Sequence, residues 1–372
     1  MKKKLISAAV TAAISATAPS LAVATTNISA GVWANYRYNP DSEVDQDTAG
    51  DIGNEALILY GDHAQDDGPW RFSTEVRFGP GSFSDPDNNS TGSYTAIHKL
   101  WVGRNIGQDW DVKIGKSQVP FGWKTVNFWP GDVLLGGYGD QMDVGAKFTG
   151  QVSGLDVAAA YYHQDDWGDT STDTIDDNGH WGVKTDPNPD DDIDELEPTY
   201  RKIQTGVLDI SYTVTDDHGS SEFGISAQAG RLEDLATACS DNSCGNRDDG
   251  SHKALAAYYQ GQYGPFTAKA QALQTERDIP NKAVDVENTR YALQGGYTLG
   301  NWFGYIDATA ASADTQGSDV DTVYGVAPGV RYDYGPGWFY LEYLNQNGFI
   351  GADGQVTDGD FEAYYVTMDY YF

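Results

Sequence analysis

The side chains that could do chemistry form no familiar catalytic set. The six histidines stand at positions 63, 98, 163, 180, 218 and 252. None has the HExxH spacing that puts two imidazoles on one helix face around zinc, and no G-x-S-x-G elbow offers an activated serine. Asp85-Pro86-Asp87-Asn88-Asn89 opens like a calcium loop, but Ser90 stands where the sharp turn needs glycine, and Ala96 where a bidentate glutamate belongs. Cys239 and Cys244 lie in a polar loop behind an export signal, so a small disulfide is expected of them; two thiols are too few for a structural metal. No catalytic residue, cofactor or resident metal is expected. The acid-rich stretch 164–199, with DDNGHWG and DDDIDELE inside it, reads as a solvated exterior loop, and a loop-bound calcium ion is the alternative it leaves open.

The charges that do show a pattern alternate with apolar residues. Trp70, Phe72, Thr74, Val76 and Phe78 interleave with Arg71, Ser73, Glu75 and Arg77. Successive strand side chains point to opposite faces, so this is one apolar wall and one charged wall. Turned toward lipid, each of the two arginines would cost about 2–4 kcal/mol near the midplane, so the charged wall faces water. Tyr364, Val366, Met368, Tyr370 and Phe372 repeat the pattern against Tyr365, Thr367, Asp369 and Tyr371, as do Ile28, Ala30, Val32, Ala34, Tyr36 and Tyr38 against Trp33, Asn35 and Arg37. The second strand carries Ala56, Ile58 and Tyr60. Extended along the chain, the alternation predicts inward cations at Arg37, Arg71, Arg77, Lys99, Lys113, Lys147, Arg290 and Arg331. Their acidic counterparts are Glu75, Asp111, Asp143, Asp307, Asp333, Glu342 and Asp369. Opposed rows of charge would orient dipolar solutes and filter ions. The competing reading, left open, is that these groups pair as structural salt bridges.

Elements able to hold such walls must satisfy every backbone hydrogen bond in hydrocarbon. No run of about 18 apolar residues follows the start of the chain, so no spanning helix is expected, and a closed barrel is the remaining solution. Lys2, Lys3 and Lys4, the short apolar core Leu5–Ala18 and Ala22-Val23-Ala24 read as a signal peptide over 1–24, leaving 25–372 as one domain. The composition agrees: 24 Tyr and 10 Trp suit interfacial belts. A mean hydropathy of −0.51 is what a polar lumen and polar loops produce. Long and short connections alternate, which predicts an all-β, transmembrane, antiparallel up-and-down β-barrel of about sixteen strands, its short turns at one end and its long loops at the other. The formal net charge of −32 excludes a simple nucleic-acid partner, since phosphates would be repelled.

The third long connection is unlike the others. Within 113–137, KIGKSQVPFGWKTVNFWPGDVLLGG, it is apolar and aromatic, and Pro120, Gly122, Pro130, Gly131, Gly136 and Gly137 break regular structure. Left outside, it would be an exposed patch; folded into the lumen, it would narrow the pore. Here the chain resembles the Gram-negative outer-membrane porins of the general-diffusion type, whose third loop enters the barrel. Gly115-Lys116-Ser117-Gln118-Val119-Pro120-Phe121-Gly122 is similar, more weakly, to the strand-to-loop passage of phosphate-selective porins. The resemblance implies a homotrimer in the outer-membrane lipid, water-filled channels for ions and small hydrophilic solutes, and a terminal aromatic, Phe372, used in assembly. It places Lys116 and Lys124, beside Asp132 and Asp140, at the constriction. Phosphate selectivity would need a denser cationic cluster than this. A non-channel surface barrel with acidic, cation- or partner-binding loops is the alternative function.

Overall fold

The computed structural model describes residues 24–66, 68–79, 95–123, 128, 130, 141–164, 180–184, 196–234, 250–279, 284–351 and 353–372. Its elements are β1 (Ala24–Tyr38), α1 (Glu43–Thr48), β2 (Asp51–Gln65), β3 (Trp70–Phe78), β4 (Thr95–Ile106), β5 (Trp110–Gln118), β6 (Met142–Val152), β7 (Leu155–Gln164), β8 (His180–Lys184), β9 (Leu196–Asp216), β10 (Gly219–Asp234), β11 (Gly250–Tyr263), β12 (Phe266–Asp278), β13 (Val286–Leu299), β14 (Trp302–Ala313), β15 (Val323–Asp333), β16 (Trp338–Ile350) and β17 (Val356–Tyr371). They form one 17-stranded antiparallel sheet. β8 pairs along the far end of β9, and β7 pairs directly with β9, so the other sixteen strands make the ring. The last strand closes it against the first, from Gly31↔Tyr371 to Tyr38↔Tyr364. Ala30 and Phe372 then exchange backbone hydrogen bonds of 2.9 and 2.8 Å. Closure leaves no open edge in the sixteen-strand ring among the described residues, the condition for sitting in hydrocarbon; β8 lies outside the ring.

The two faces reverse the usual order of a soluble protein. Leu293 (61% exposed), Leu255 (58%) and Ile225 (57%) point outward, with Phe223, Leu341, Tyr364, Met368 and Tyr370 also exposed. Asn35, Ser73, Arg290, Asp307, Glu342 and Asp369 are buried inside. An apolar outer belt around a polar interior is stable where lipid surrounds the ring. Among the described residues no helix is long and apolar enough to cross a membrane.

The connections alternate as the sequence implies: 66–69, 107–109, 153–154, 217–218, 264–265, 300–301 and 334–337 lie at one end, and all the longer ones at the other. Several strands run further than expected. β9 holds 21 residues and starts at Leu196, inside the expected acidic loop, which also contributes β8. The expected connections 277–287 and 346–360 shrink to 279–285 and 351–355. In β2 the outward residues are Leu57 and Leu59, while Ile58 is buried inside. The step Trp33/Asn35 in the β1–β2 pairing, a bulge, shifts the parity there.

Candidate functional site: the barrel lumen

β3 and β5 build the first part of the inner wall. Their alternation turns Arg71, Glu75 and Arg77 inward, and Arg71 forms an ion pair with Asp111 of β5. Arg77 Nε lies 2.9 Å from Glu75 Oε1. Lys113 sits over the Trp101 ring at 4.6 Å. On β6, Lys147 donates to the Gln118 carbonyl at the end of β5. Arg331 of β15 reaches Asp333 at 3.2 Å. Internal pairing is therefore real for Arg71, Arg77 and Arg331. Lys99 stands opposite Glu75 in the β3–β4 register, beside a bulge that also buries His98. Arg37 is half-buried on β1, and Asp143 and Arg290 are buried on β6 and β13, each with further interactions of its own. Near the short-connection end, a cavity of about 490 Å³ is lined by Arg71, Asp111, Lys113, Asp156 and Asp209.

The far wall, β14 to β17, is more acidic. Asp307 accepts from Gln294 Nε2 at 2.7 Å. Glu342 Oε1 accepts from Tyr305 Oη at 2.6 Å and from the Phe128 amide at 2.7 Å. Asp369 accepts from the Trp338 amide at 2.5 Å and from Tyr371 Oη at 3.3 Å. Buried carboxylates survive there because each is given donors.

A basic group on β9 to β13 was not singled out from the sequence apart from Arg290. Lys202, His252 and Arg277 are buried beside it. His252 pairs with Arg277 across β11–β12, and its Nε2 lies 2.9 Å from Thr205 Oγ1. The inward positions next to His252 and Arg277 are apolar, Ala254 and Leu273 among them, so no polar alternation marks that face in the sequence.

The third connection, 119–141, begins against the inner wall. Val119, Phe121 and Trp123 form one buried cluster with Tyr162, Val207, Ala254, Ala256, Tyr258, Leu273 and Ala292. The Gly122 amide donates to Ser226 Oγ at 2.9 Å, the Trp123 amide to Gln271 Oε1 at 3.0 Å, and Trp123 Nε1 to the Ala270 carbonyl at 2.9 Å. Gly122 has φ +62°. A Cβ there would meet Gln271 Oε1 at 2.2 Å, so both its backbone and its space require glycine. Phe128 then touches Trp33 of β1, ring centroids 5.1 Å apart, and Tyr340 of β16 at 5.3 Å. Lys116 is buried and partnered. Lys124, Asp132 and Asp140 lie outside the described residues, as do Cys239, Cys244 and most of the acidic run 164–199.

No protein-family model matches the chain, and no curated protein sequence does. Solved structures share its fold. Outer-membrane expressed OmpT of Vibrio cholerae is similar with TM-score 0.59 and 13% identity, over 95% of this chain and 99% of that one. The anion-selective porin from Comamonas acidovorans gives 0.54 and 14% over 94% and 100%. Pseudomonas aeruginosa OccK1 (OpdK) gives 0.51 and 12% over 94% and 98%. The chain thus has the fold of an outer-membrane β-barrel.

Proposed function

We propose that this outer-membrane barrel is a porin, a water-filled channel for passive diffusion of ions and small hydrophilic solutes, and not a catalyst. One observation carries the reading: a closed ring that is apolar outside presents charged side chains inside, Lys147, Asp307, Glu342 and Asp369 among them, and a vestibule of about 490 Å³ opens beside Arg71, Asp111 and Lys113. A polar lumen that is hydrated lets solutes exchange their hydration for wall contacts. The third connection, anchored at Gly122, Trp123 and Phe128, narrows the lumen, and Lys116, Lys124, Asp132 and Asp140 contribute to that narrowing. The anion-selective porin among the structural neighbours supports a channel, and the trimer form in which OmpT was solved supports a homotrimer. Export by the segment 1–24 belongs to the same reading. The test is conductance of the purified, folded protein in a planar bilayer. Stepwise insertions with ohmic current are expected; silent membranes from folded protein would overturn the proposal.

A further inference from the structure

Aromatic side chains line one sector of the inner wall in unbroken contact. Tyr60 and Tyr371 have ring centroids 6.1 Å apart, and Tyr371 meets Trp338 edge-on at 5.3 Å. Trp33 Nε1 lies 3.3 Å from Tyr371 Oη, and the Trp33 ring continues to Phe128. Tyr60, Trp33, Trp338, Tyr371 and Phe128 all keep part of their surface open. Buried Tyr340 stands behind Phe128. At the foot of the track, by the 334–337 turn, a cavity of about 440 Å³ is lined by Trp338, Tyr371, Asp333 and Asn301. That volume is within the roughly 300–1,000 Å³ of small-molecule sites.

The polar groups beside the rings decide what would bind. Arg77 and Arg331 are each paired with a carboxylate, Glu75 and Asp333. Asp369 and Glu342 add two more acids. With Arg37 of β1 counted, three cations meet four acids, so the sector is slightly net negative, which disfavours an anion, aromatic carboxylates included. A neutral ring with one C–H face and an edge of hydroxyls fits: Arg77 lies over one face of Trp33 at 4.9 Å and Arg331 over Trp338 at 5.8 Å, the C–H face meets the ring surface these leave open, and the hydroxyls meet carboxylates, the Asn301 amide and guanidinium. We infer that the inner wall of β1, β2, β16 and β17 is a stacking track for a neutral oligosaccharide, running from the cavity at the turn end up to Phe128. A track of several rings suits an oligomer better than one sugar. The inference rests on the channel reading, because sugar reaches the track only through a hydrated lumen.

Maltohexaose, as probe, is titrated against the folded protein in detergent by calorimetry and, separately, against the open-channel current, with a polyethylene glycol of equal mass as size control. Saturable binding and current block by the sugar alone are expected. Trp33→Ala should weaken both about tenfold, Trp33→Phe should restore most of the loss, and Phe223→Ala, on the outer face of β10, should leave them unchanged. Equal block by the glycol, no saturable heat, or an unchanged response in Trp33→Ala would overturn the track. A silent bilayer with sugar binding intact would sink the channel reading and spare the track.

Discussion

Gly122→Ala tests whether the third connection is pinned inside the lumen. Two costs fall on it. The left-handed backbone at φ +62° is worth about 1–2 kcal/mol against a Cβ. The new methyl would sit 2.2 Å from Gln271 Oε1, which accepts from the Trp123 amide. Displacing that buried amide leaves polar groups unsatisfied at about 1–3 kcal/mol. The anchor should weaken by about 2–5 kcal/mol, roughly thirtyfold or more in the share of channels with the connection released. None of this touches a strand ladder, so the barrel should still fold, read as heat-modifiable mobility on cold SDS gels. Gly154→Ala is the control: φ is +84° in the 153–154 turn, and nothing lies within 4 Å of the added Cβ. It pays the backbone cost alone, far from the connection. Single-channel recording should show larger and noisier conductance in Gly122→Ala and wild-type currents in Gly154→Ala. Identical currents in both, with both folded, would refute the anchoring argument.

Adjacent residues on β13 test the two faces. Leu293→Arg puts a cation on the outer belt and should cost about 2–4 kcal/mol in urea-titrated folding into lipid vesicles, whereas Gln294→Arg, beside Asp307, should cost far less. Equal losses would contradict the assignment of faces. The acidic exterior should concentrate cations at the mouth, so reversal potentials under a KCl gradient should show a weak cation preference that fades as salt rises and the Debye length shortens; an anion preference at low salt would reverse this. Asp111→Asn removes the partner of Arg71 in the vestibule and should shift the reversal potential toward anions, by the same recording. Cross-linking in native membranes should stop at a trimer, and a monomer band alone would remove that part of the reading.

The parts of the barrel legible in the sequence are those where parity runs unbroken. β3 and β17 were readable residue by residue because each outward apolar residue has a polar neighbour on either side. Parity fails at bulges. The shift between Glu75 and Val76 in the β3–β4 register puts both His98 and Lys99 off the outer face, and the shift at Trp33/Asn35 accompanies the reversal in β2. It also fades on β11 to β13 for a different reason. Ala254, Ala256, Tyr258, Leu273 and Ala292 face inward yet are apolar, because Val119, Phe121 and Trp123 pack on them. Alternation between lipid and water disappears where the inner neighbour is itself apolar, which hid His252 and Arg277 among residues that look alike on both faces; Lys202 was hidden because β9 begins inside what reads as an acidic loop. Loop lengths were overestimated because a strand needs only about 9–11 residues to cross. The 21 of β9 carry the sheet past the membrane into what reads as polar loop.

Pairing inside the lumen is uneven around the ring. Arg71, Arg77, Lys99, Lys113 and Lys147 lie on β3 to β6, while Asp307 and Glu342 lie on β14 and β16, further round the sixteen-strand ring, and Asp369 on β17 is three strands from β3. The ion pairs found, Arg71 with Asp111 and Arg77 with Glu75, neutralise neighbours on the same wall. Lys113 rests on the Trp101 ring, which lends it a quadrupole and no counter-charge. On the far wall Gln294, Tyr305 and backbone amides donate to Asp307, Glu342 and Asp369, and Lys269 and Arg331 add positive charge near Asp307 and Asp369. On the channel reading, the excess of Arg71, Arg77, Lys99, Lys113 and Lys147 over Glu75, Asp111 and Asp143 on β3 to β6 predicts a positive sector, which the Asp111→Asn recording tests. Structural satisfaction and solute orientation are compatible on that reading, because a neutral partner stabilises a charge without removing it.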